Sequence, residues 1–214
     1  MDESFFMQID YYFFPLSPYV YLGSKRFHAL AERFDAQINY CPVKVNLMYE
    51  NSGGTPFAKR HPNRLAYRLV ELRRWSEKLS IPINFKPSYF PVDDSLAAGV
   101  IFVLKDQGSE KIASVLNAVH EAIWVHDFNI NDRAVLERIL LGYDLDAASI
   151  LDTAEGMGAR YEAETTAAMD KGIFGTPSYV IEDEIFWGQD RLDFLKTALE
   201  RKAAQKVAEQ LNNI

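Results

Sequence analysis

Hydrophobic residues dominate the first strongly patterned stretch of the chain, residues 5–14, in which Gln8 and Asp10 are the two polar residues. Aromatic side chains are frequent in it, and Met7, Ile9, Tyr11 and Phe13 occupy alternate positions. Because successive side chains of a strand point to opposite faces, this spacing predicts a strand that is buried on at least one face.

A helix is predicted directly after this strand. Residues 15–18 break the alternation, and apolar residues then recur at helical spacing over residues 19–34. Ser17 is the natural N-cap of that helix, and Pro18 is its natural first residue. A second apolar run, residues 37–45, predicts another strand, so the chain opens with the order strand, Ser-Pro turn, helix, strand.

The middle of the chain is predicted to be almost entirely helical. After a loop at residues 51–56, a stripe of apolar residues begins near Arg64 and continues to residue 79. Ser109, Asp132 and Asp146 are candidate N-caps of later helices. The spacing of apolar residues predicts these further helices at residues 95–106, 109–126, 132–141, 146–152 and 157–171.

The C-terminal part is predicted to form a β-hairpin and a last helix. A turn bounded by glycines contains Thr176-Pro177 and leads into two short apolar strands joined at Glu182-Asp183. The helix is predicted from Asp190, as its cap, to about residue 211. The helical block therefore interrupts a β-α-β … β-β-α framework, which is the framework of an α/β protein.

Composition and charge narrow the function classes. The 214 residues carry a formal net charge of −7, which argues against general binding to nucleic acid or to anionic membranes. The basic run at residues 59–64 is read as a solvated loop, with anion binding as the alternative. No signal peptide is visible at residues 1–3, and the longest apolar run, residues 96–104, is far shorter than the roughly 20 residues that span a bilayer. We expect a cytoplasmic protein.

The chain has few residues of the types that usually form redox, metal-binding or catalytic sites. The single cysteine, Cys41, excludes an internal disulfide and a Cys-x-x-Cys redox pair, and we expect it to be buried. The four histidines show no metal-ligand spacing, so no metal site is predicted. Ser17 is the remaining candidate, although its position alone also fits a simple helix cap.

Three segments of the chain resemble one known family. These are residues 16–22, residues 66–75, and residues 172–177 taken together with 186–195. They look like the 2-hydroxychromene-2-carboxylate isomerase family, which is allied to the kappa-class glutathione transferases, over about residues 9–199. The resemblance implies a thioredoxin-like domain formed by residues 1–50 and 172–214, an inserted all-helical domain of residues 51–171, and a homodimer.

The resemblance also implies a glutathione site around Ser17. Ser17 and Val20 stand where thioredoxin-like oxidoreductases carry their two cysteines, so the sulfur has to come from glutathione. Ser17 is then the catalytic residue that supports the glutathione thiolate, next to Pro18 and Tyr19. The physical chemistry agrees, because a hydrogen bond to a charged acceptor contributes about 1.5–3 kcal/mol and a helix N-terminus roughly 0.3–1 kcal/mol. Lowering a thiol pKa by about two requires roughly 2.7 kcal/mol.

Further glutathione ligands are implied at the other end of the chain. Thr176, before a cis Pro177, is expected to pair its backbone with the peptide backbone of glutathione, as an added strand does. Gln189 and Asp190 match the positions that hold the γ-glutamyl end. Where many family members carry Asn and Lys, this chain has Thr55 and Arg64, which are the corresponding candidates.

The implied reaction is the glutathione-dependent isomerisation of an aromatic-derived 2-hydroxychromene carboxylate. Phe14, Tyr19, Tyr89 and Phe90 are the candidates for an apolar substrate pocket beside Ser17. A kappa-type transferase, which consumes glutathione, is the alternative enzyme. A non-catalytic thioredoxin-like binding protein is the alternative of a different class.

Overall fold

A mixed β-sheet forms the centre of the protein in the computed structural model, which describes residues 7–212. In this part of the chain the strands are β1 (Gln8–Phe13), β2 (Gln37–Pro42), β3 (Ser178–Ile181) and β4 (Glu184–Trp187). Their order across the sheet is β2-β1-β3-β4, with β1 parallel to β2 and the other neighbours antiparallel. The predicted strands and hairpin are confirmed. Residues 5 and 6 of the first predicted strand lie outside the described residues.

Helices fill most of the chain between β2 and β3. The helices are α1 (Pro18–Arg33), α2 (Val45–Ser52), α3 (Pro62–Leu79), α4 (Ser95–Asp106), α5 (Ile112–Trp124), α6 (Arg133–Leu141), α7 (Ala147–Ala154), α8 (Gly158–Asp170) and α9 (Leu192–Asn212). Each predicted helix is present, α4 with the predicted bounds and the others with small shifts at their ends, whereas α2 was not predicted. The second strand stops at Pro42, and α2 occupies part of the segment predicted as strand and loop.

The central strand β1 is buried on both faces, as a strand covered by helices on both sides must be. On one face, Tyr11 stacks on Tyr179 with ring centroids 5.3 Å apart and contacts Phe27 of α1 at 4.5 Å. On the other face, Tyr12 packs in a cluster with residues of β2, α2 and α8, which includes the buried Cys41. The sheet therefore fixes α1 on one side and α2 and α8 on the other.

Of the three caps predicted within the helical block, two are correct and one is wrong. The side chains of Asp132 and Asp146 accept hydrogen bonds from the N–H groups of Ala134 and Ser149, as helix N-caps do. Ser109 does not cap α5, because its hydroxyl accepts from the Lys111 N–H in a turn that precedes the helix.

The start of α9 also differs from the prediction. The helix begins at Leu192, two residues after Asp190, and the Asp190 carboxylate accepts no hydrogen bond from a helix N–H in the described part of the chain. The carboxylate instead lies over Gly188, whose φ is +112° and where an added Cβ would be 2.4 Å from Asp190 Oδ1. The predicted cap is therefore wrong, because the turn after β4 is longer than the sequence suggested.

The division into two domains stays a prediction, and its first boundary, between residues 50 and 51, falls within α2. One hydrophobic core contains residues of the sheet together with residues of α4 to α7. Among residues 7–212, no helix combines the length and the apolar character that crossing a bilayer requires.

Candidate active site

Ser17 ends the loop between β1 and α1 and is the N-cap of that helix, as predicted. Its N–H donates to the Phe14 carbonyl at 2.9 Å, and its Oγ accepts from the Val20 N–H at 3.3 Å. Pro18 follows as the first helical residue. A serine hydroxyl carries one proton, and here the oxygen accepts rather than donates. The Ser17 proton is therefore available for an acceptor in the adjoining cleft.

A cleft of about 640 Å³ lies beside Ser17. Of the predicted site residues, Ser17, Pro18, Tyr19 and Thr176 line it. The rest of the wall comes from α2, from residues 56–60 with α3, and from residues 90–94. The cleft therefore has one polar corner at the start of α1 and walls built by the helical block.

Aromatic side chains form much of this cleft. Phe14, Tyr19 and Phe90 line it together with Phe57, and their role in a substrate pocket stays a prediction. Tyr89 does not line it and is 45% exposed.

Thr176 presents a free backbone to the cleft. The Thr176–Pro177 peptide bond is cis, as predicted. The Pro177 carbonyl accepts from the Gly188 N–H at 2.8 Å, which holds the loop against β4. The N–H and C=O of Thr176 make no backbone hydrogen bond within residues 7–212. Both groups therefore remain available to an extended peptide.

Charged residues of both signs surround the cleft, and they differ in how they are paired. Lys44 forms an ion pair with Glu162 at 2.9 Å. Arg60 donates from Nε to the Thr55 carbonyl at 2.9 Å. The side chain of Arg68, in contrast, makes no hydrogen bond and no ion pair with any residue the structure describes.

Asp94 is a buried carboxylic acid at the edge of this cleft. It is 6% exposed, and burial raises its pKa to about 6. The Tyr161 hydroxyl lies 2.6 Å from Asp94 Oδ2 and 2.9 Å from the Val43 carbonyl oxygen. A hydroxyl donates only one proton. Both contacts are therefore hydrogen bonds only when Asp94 carries a proton of its own.

The structure does not bring every predicted ligand to the cleft. Thr55 contributes its carbonyl to Arg60, and Arg64 is exposed on the first turn of α3 while Arg68, one turn later, lines the cleft. Gln189 is buried with its side-chain oxygen bound by Arg26, which also donates to its carbonyl at 3.1 Å.

Asp190 is exposed and pairs with Arg191 at 3.7 Å. It does not line the cleft either. The glutathione contacts implied for Thr55, Arg64, Gln189 and Asp190 stay predictions.

The part of the site that α2 supplies was not predicted from the sequence. Lys44 and Tyr49 line the cleft from this segment, and Arg60 lies over the Tyr49 ring at 5.3 Å. The helix is short, and Lys44 at its N-cap position makes no capping hydrogen bond. The available signal was Gly53, whose φ of +73° ends the helix in the way that favours glycine.

Comparisons with known proteins agree with this architecture. A family model described as the DSBA-like thioredoxin domain matches residues 8–200. The chain is 30% identical over 205 residues to a 2-hydroxychromene-2-carboxylate isomerase from Pseudomonas putida, which covers 93% of this chain and 97% of the relative. It is 29% identical over 197 residues to the enzyme of that name from Sphingobium xenophagum, covering 89% of this chain and 97% of the relative. The solved structure of a 2-hydroxychromene-2-carboxylate isomerase superimposes with a TM-score of 0.77 at 26% identity, covering 94% of this chain and 98% of that one.

Proposed function

Because the chain belongs to the 2-hydroxychromene-2-carboxylate isomerase family, whose members are enzymes, and has a DSBA-like thioredoxin domain, we propose that it isomerises an aromatic-derived 2-hydroxychromene carboxylate with glutathione as its cofactor. The relatives carry the isomerase name, and the glutathione dependence is our inference from the site. One observation carries this inference: Ser17, whose hydroxyl proton is not used within the protein, and Thr176, whose N–H and C=O make no backbone hydrogen bond among the described residues, line the same cleft.

These two features fit the two parts of glutathione. A tripeptide needs backbone partners, and Thr176 offers an N–H and a C=O that have no backbone partner among the described residues. A thiolate needs a hydrogen-bond donor at a positive helix end, and Ser17 at the start of α1 offers both. Cys41 is buried elsewhere, in the cluster beneath β1, so it does not compete for this role.

Ser17 and the aromatic residues around it have different roles in the proposed reaction. When bound, glutathione would supply a thiolate that adds reversibly to the substrate, and elimination after rotation about a substrate bond would release the glutathione unchanged. Ser17 keeps the sulfur ionised by donating its proton in a hydrogen bond, without transferring it. Phe14, Tyr19 and Phe90 exclude water from the substrate, because they form an apolar wall next to that hydroxyl.

The proposal is tested by titrating the protein with reduced glutathione in a calorimeter at pH 7. We expect one site per chain and the release of close to one proton on binding, measured by repeating the titration in buffers of different ionisation enthalpy. The proton is released because the thiol, with a free pKa of about 8.5, ionises in the site. S-methylglutathione is the control, since it has no thiol proton to release. Absence of binding at millimolar concentration overturns the proposal.

The homodimer and the cytoplasmic location are further proposals that rest on the family resemblance. Light scattering of the purified protein tests the first, since a dimer has twice the 24.4 kDa mass of the chain. Fractionation of the producing cells tests the second.

A further inference from the structure

Arg68 lies between two cavities. It lines the cleft beside Ser17, and it also lines a second cavity of about 270 Å³. Phe57 and Phe90 line both cavities as well, so these three side chains form the partition between them. The other residues of the second cavity are Leu65, Ala66, Leu69, Phe85, Lys86, Pro87 and Trp124.

The Arg68 guanidinium has no anionic partner in the described structure. It lies 5.2 Å from the centre of the Phe57 ring and 5.4 Å from that of Phe90. Burial lowers its pKa, yet a guanidinium stays protonated in proteins. The side chain is only half-buried, and its guanidinium lies against two phenyl rings without a charged partner among the described residues. An anion bound in the cleft is the partner that the site lacks.

The second cavity has the character of a ring-binding site. Most of its lining is aromatic or aliphatic, and the Trp124 ring at its base packs on Phe90 with centroids 5.1 Å apart. Trp124 is fully buried, and its Nε1–H has no acceptor among residues 7–208. The cavity therefore combines mostly apolar walls with two cationic side chains, Lys86 and Arg68.

We propose that Arg68 binds the carboxylate of the substrate and that the second cavity accepts its aromatic ring. This assignment rests on the proposed function and names the substrate subsite of the same cleft. An aryl carboxylate matches both features, because its charge complements the guanidinium and its ring complements the apolar walls. Arg68 is then a specificity-determining residue, distinct from the thiol-binding corner at Ser17.

The test uses chromone-2-carboxylate, a bicyclic aromatic acid, as a non-reacting probe. Its binding to the full-length protein is measured by calorimetry and compared with that of chromone-2-carboxamide, which has the same ring and no charge. Arg68→Met removes the guanidinium and retains an unbranched apolar stem of similar bulk. Arg74→Met is the matched control, since Arg74 is exposed on the same helix, forms an ion pair with Glu71 and lines neither cavity.

We expect wild type and Arg74→Met to bind the acid about ten-fold more tightly than the amide, or better, since a charge-assisted hydrogen bond has at least that effect. Arg68→Met should bind both compounds alike, with its glutathione affinity within about three-fold of wild type. Equal binding of acid and amide by wild type overturns the proposal. So does an Arg68→Met variant that loses glutathione affinity but keeps its preference for the acid, because Arg68 then belongs to the cofactor site.

A second probe tests the ring cavity. Pyruvate carries a carboxylate without an aromatic ring, and we expect it to bind at least about ten-fold more weakly than chromone-2-carboxylate. Equal affinities contradict a role for the second cavity. Failure of the proposed function can be distinguished from failure of this assignment. If the protein binds the acid through Arg68 but does not bind glutathione, the aryl carboxylate site is supported and the glutathione-dependent mechanism is rejected.

Discussion

At the residue scale, the hydrogen bonding of Ser17 connects the fold to the chemistry. Its oxygen caps α1 by accepting from the Val20 N–H, which leaves its proton for a ligand. The same side chain therefore serves the helix and the site, and a substitution affects both. The two effects are separable because the helix cap contributes to stability, whereas the donated proton contributes to thiol ionisation under the proposed function.

Ser17→Ala is expected to keep the fold and lose thiolate formation. Loss of the cap should lower the free energy of unfolding by about 1 kcal/mol. Loss of the donor should raise the pKa of bound glutathione by one to two units, about 1.5–3 kcal/mol, and reduce turnover by roughly ten- to hundred-fold. Ultraviolet absorbance of the bound thiolate as a function of pH measures this. Ser17→Thr keeps a hydroxyl and is the control, and an unchanged thiolate spectrum in the alanine variant would remove Ser17 from the mechanism.

Asp94 gives a stability prediction with a defined pH range. Its pKa is about 6 in the folded protein, mainly because of burial, and about 3.9 in an unfolded chain. The folded state therefore holds this proton more tightly, so the contribution of Asp94 is most favourable below about pH 4 and declines until about pH 6. The total loss is roughly 3 kcal/mol. Asp94→Asn should lack this loss and gain stability relative to wild type between these pH values, as measured by urea unfolding. A constant difference between the two proteins from pH 4 to pH 7 would contradict the assignment.

Asp190 tests the ligand role implied by the family resemblance. It is exposed and does not cap α9, so Asp190→Asn should leave the melting temperature unchanged. If its carboxylate pairs with the ammonium of glutathione, the variant should bind glutathione more weakly by about 1–3 kcal/mol. Calorimetric titration decides the matter, and an affinity within a factor of two of wild type excludes the contact.

At the scale of elements, the packing of α4 on α7 depends on a close backbone approach. A Cβ added at Gly99 in α4 would lie 2.4 Å from the Ala154 carbonyl oxygen of α7. Gly99→Ala should therefore separate the two helices and lower the free energy of unfolding by about 1–3 kcal/mol. Gly156→Ala is the control, because nothing lies within 4 Å of the added atom there. Denaturant unfolding measures both, and equal stabilities would show that the helices move apart without cost.

The elements that sequence predicts well are those with strong local signals. The Ser17-Pro18 start of α1 has a capping residue and a favourable proline, and both are found in the structure. The segment of α2 has neither, because Lys44 makes no capping bond and the helix is held by contacts from α8 instead. When tertiary contacts determine where a short helix begins and ends, its bounds cannot be predicted from the local sequence.

The same reasoning explains how much of the site was predictable. Ser17, Tyr19 and Thr176 are next to strong turn signals, and they line one cleft. Arg68 was not singled out, since it is one arginine among several in a helical run, and only the packing of Phe57 and Phe90 around it distinguishes it. Contacts between residues distant in sequence decide such positions.

At the scale of the whole molecule, the sheet and the helical block contribute different parts of one cleft. The sheet supplies Ser17 and Thr176 at its edge with α1, whereas the helices between β2 and β3 supply the aromatic and basic wall. Although the net charge is −7, Lys59, Arg60 and Arg68 line this cleft. The lining also contains Lys44 and four acidic residues, Glu50, Asp93, Asp94 and Glu162. The basic and acidic residues of the cleft are therefore balanced in number, and an anionic ligand would be bound by individual cations such as Arg68 rather than by a net positive potential.

The most direct test of the central claim follows 2-hydroxychromene-2-carboxylate turnover while total glutathione is counted. With substrate in large excess, the account predicts isomerisation only when glutathione is present, at a rate that saturates with its concentration. It also predicts that free reduced glutathione is unchanged after many turnovers, because the thiol is released at the end of each cycle. Isomerisation at the same rate without glutathione, or the loss of one glutathione per product formed, would contradict it.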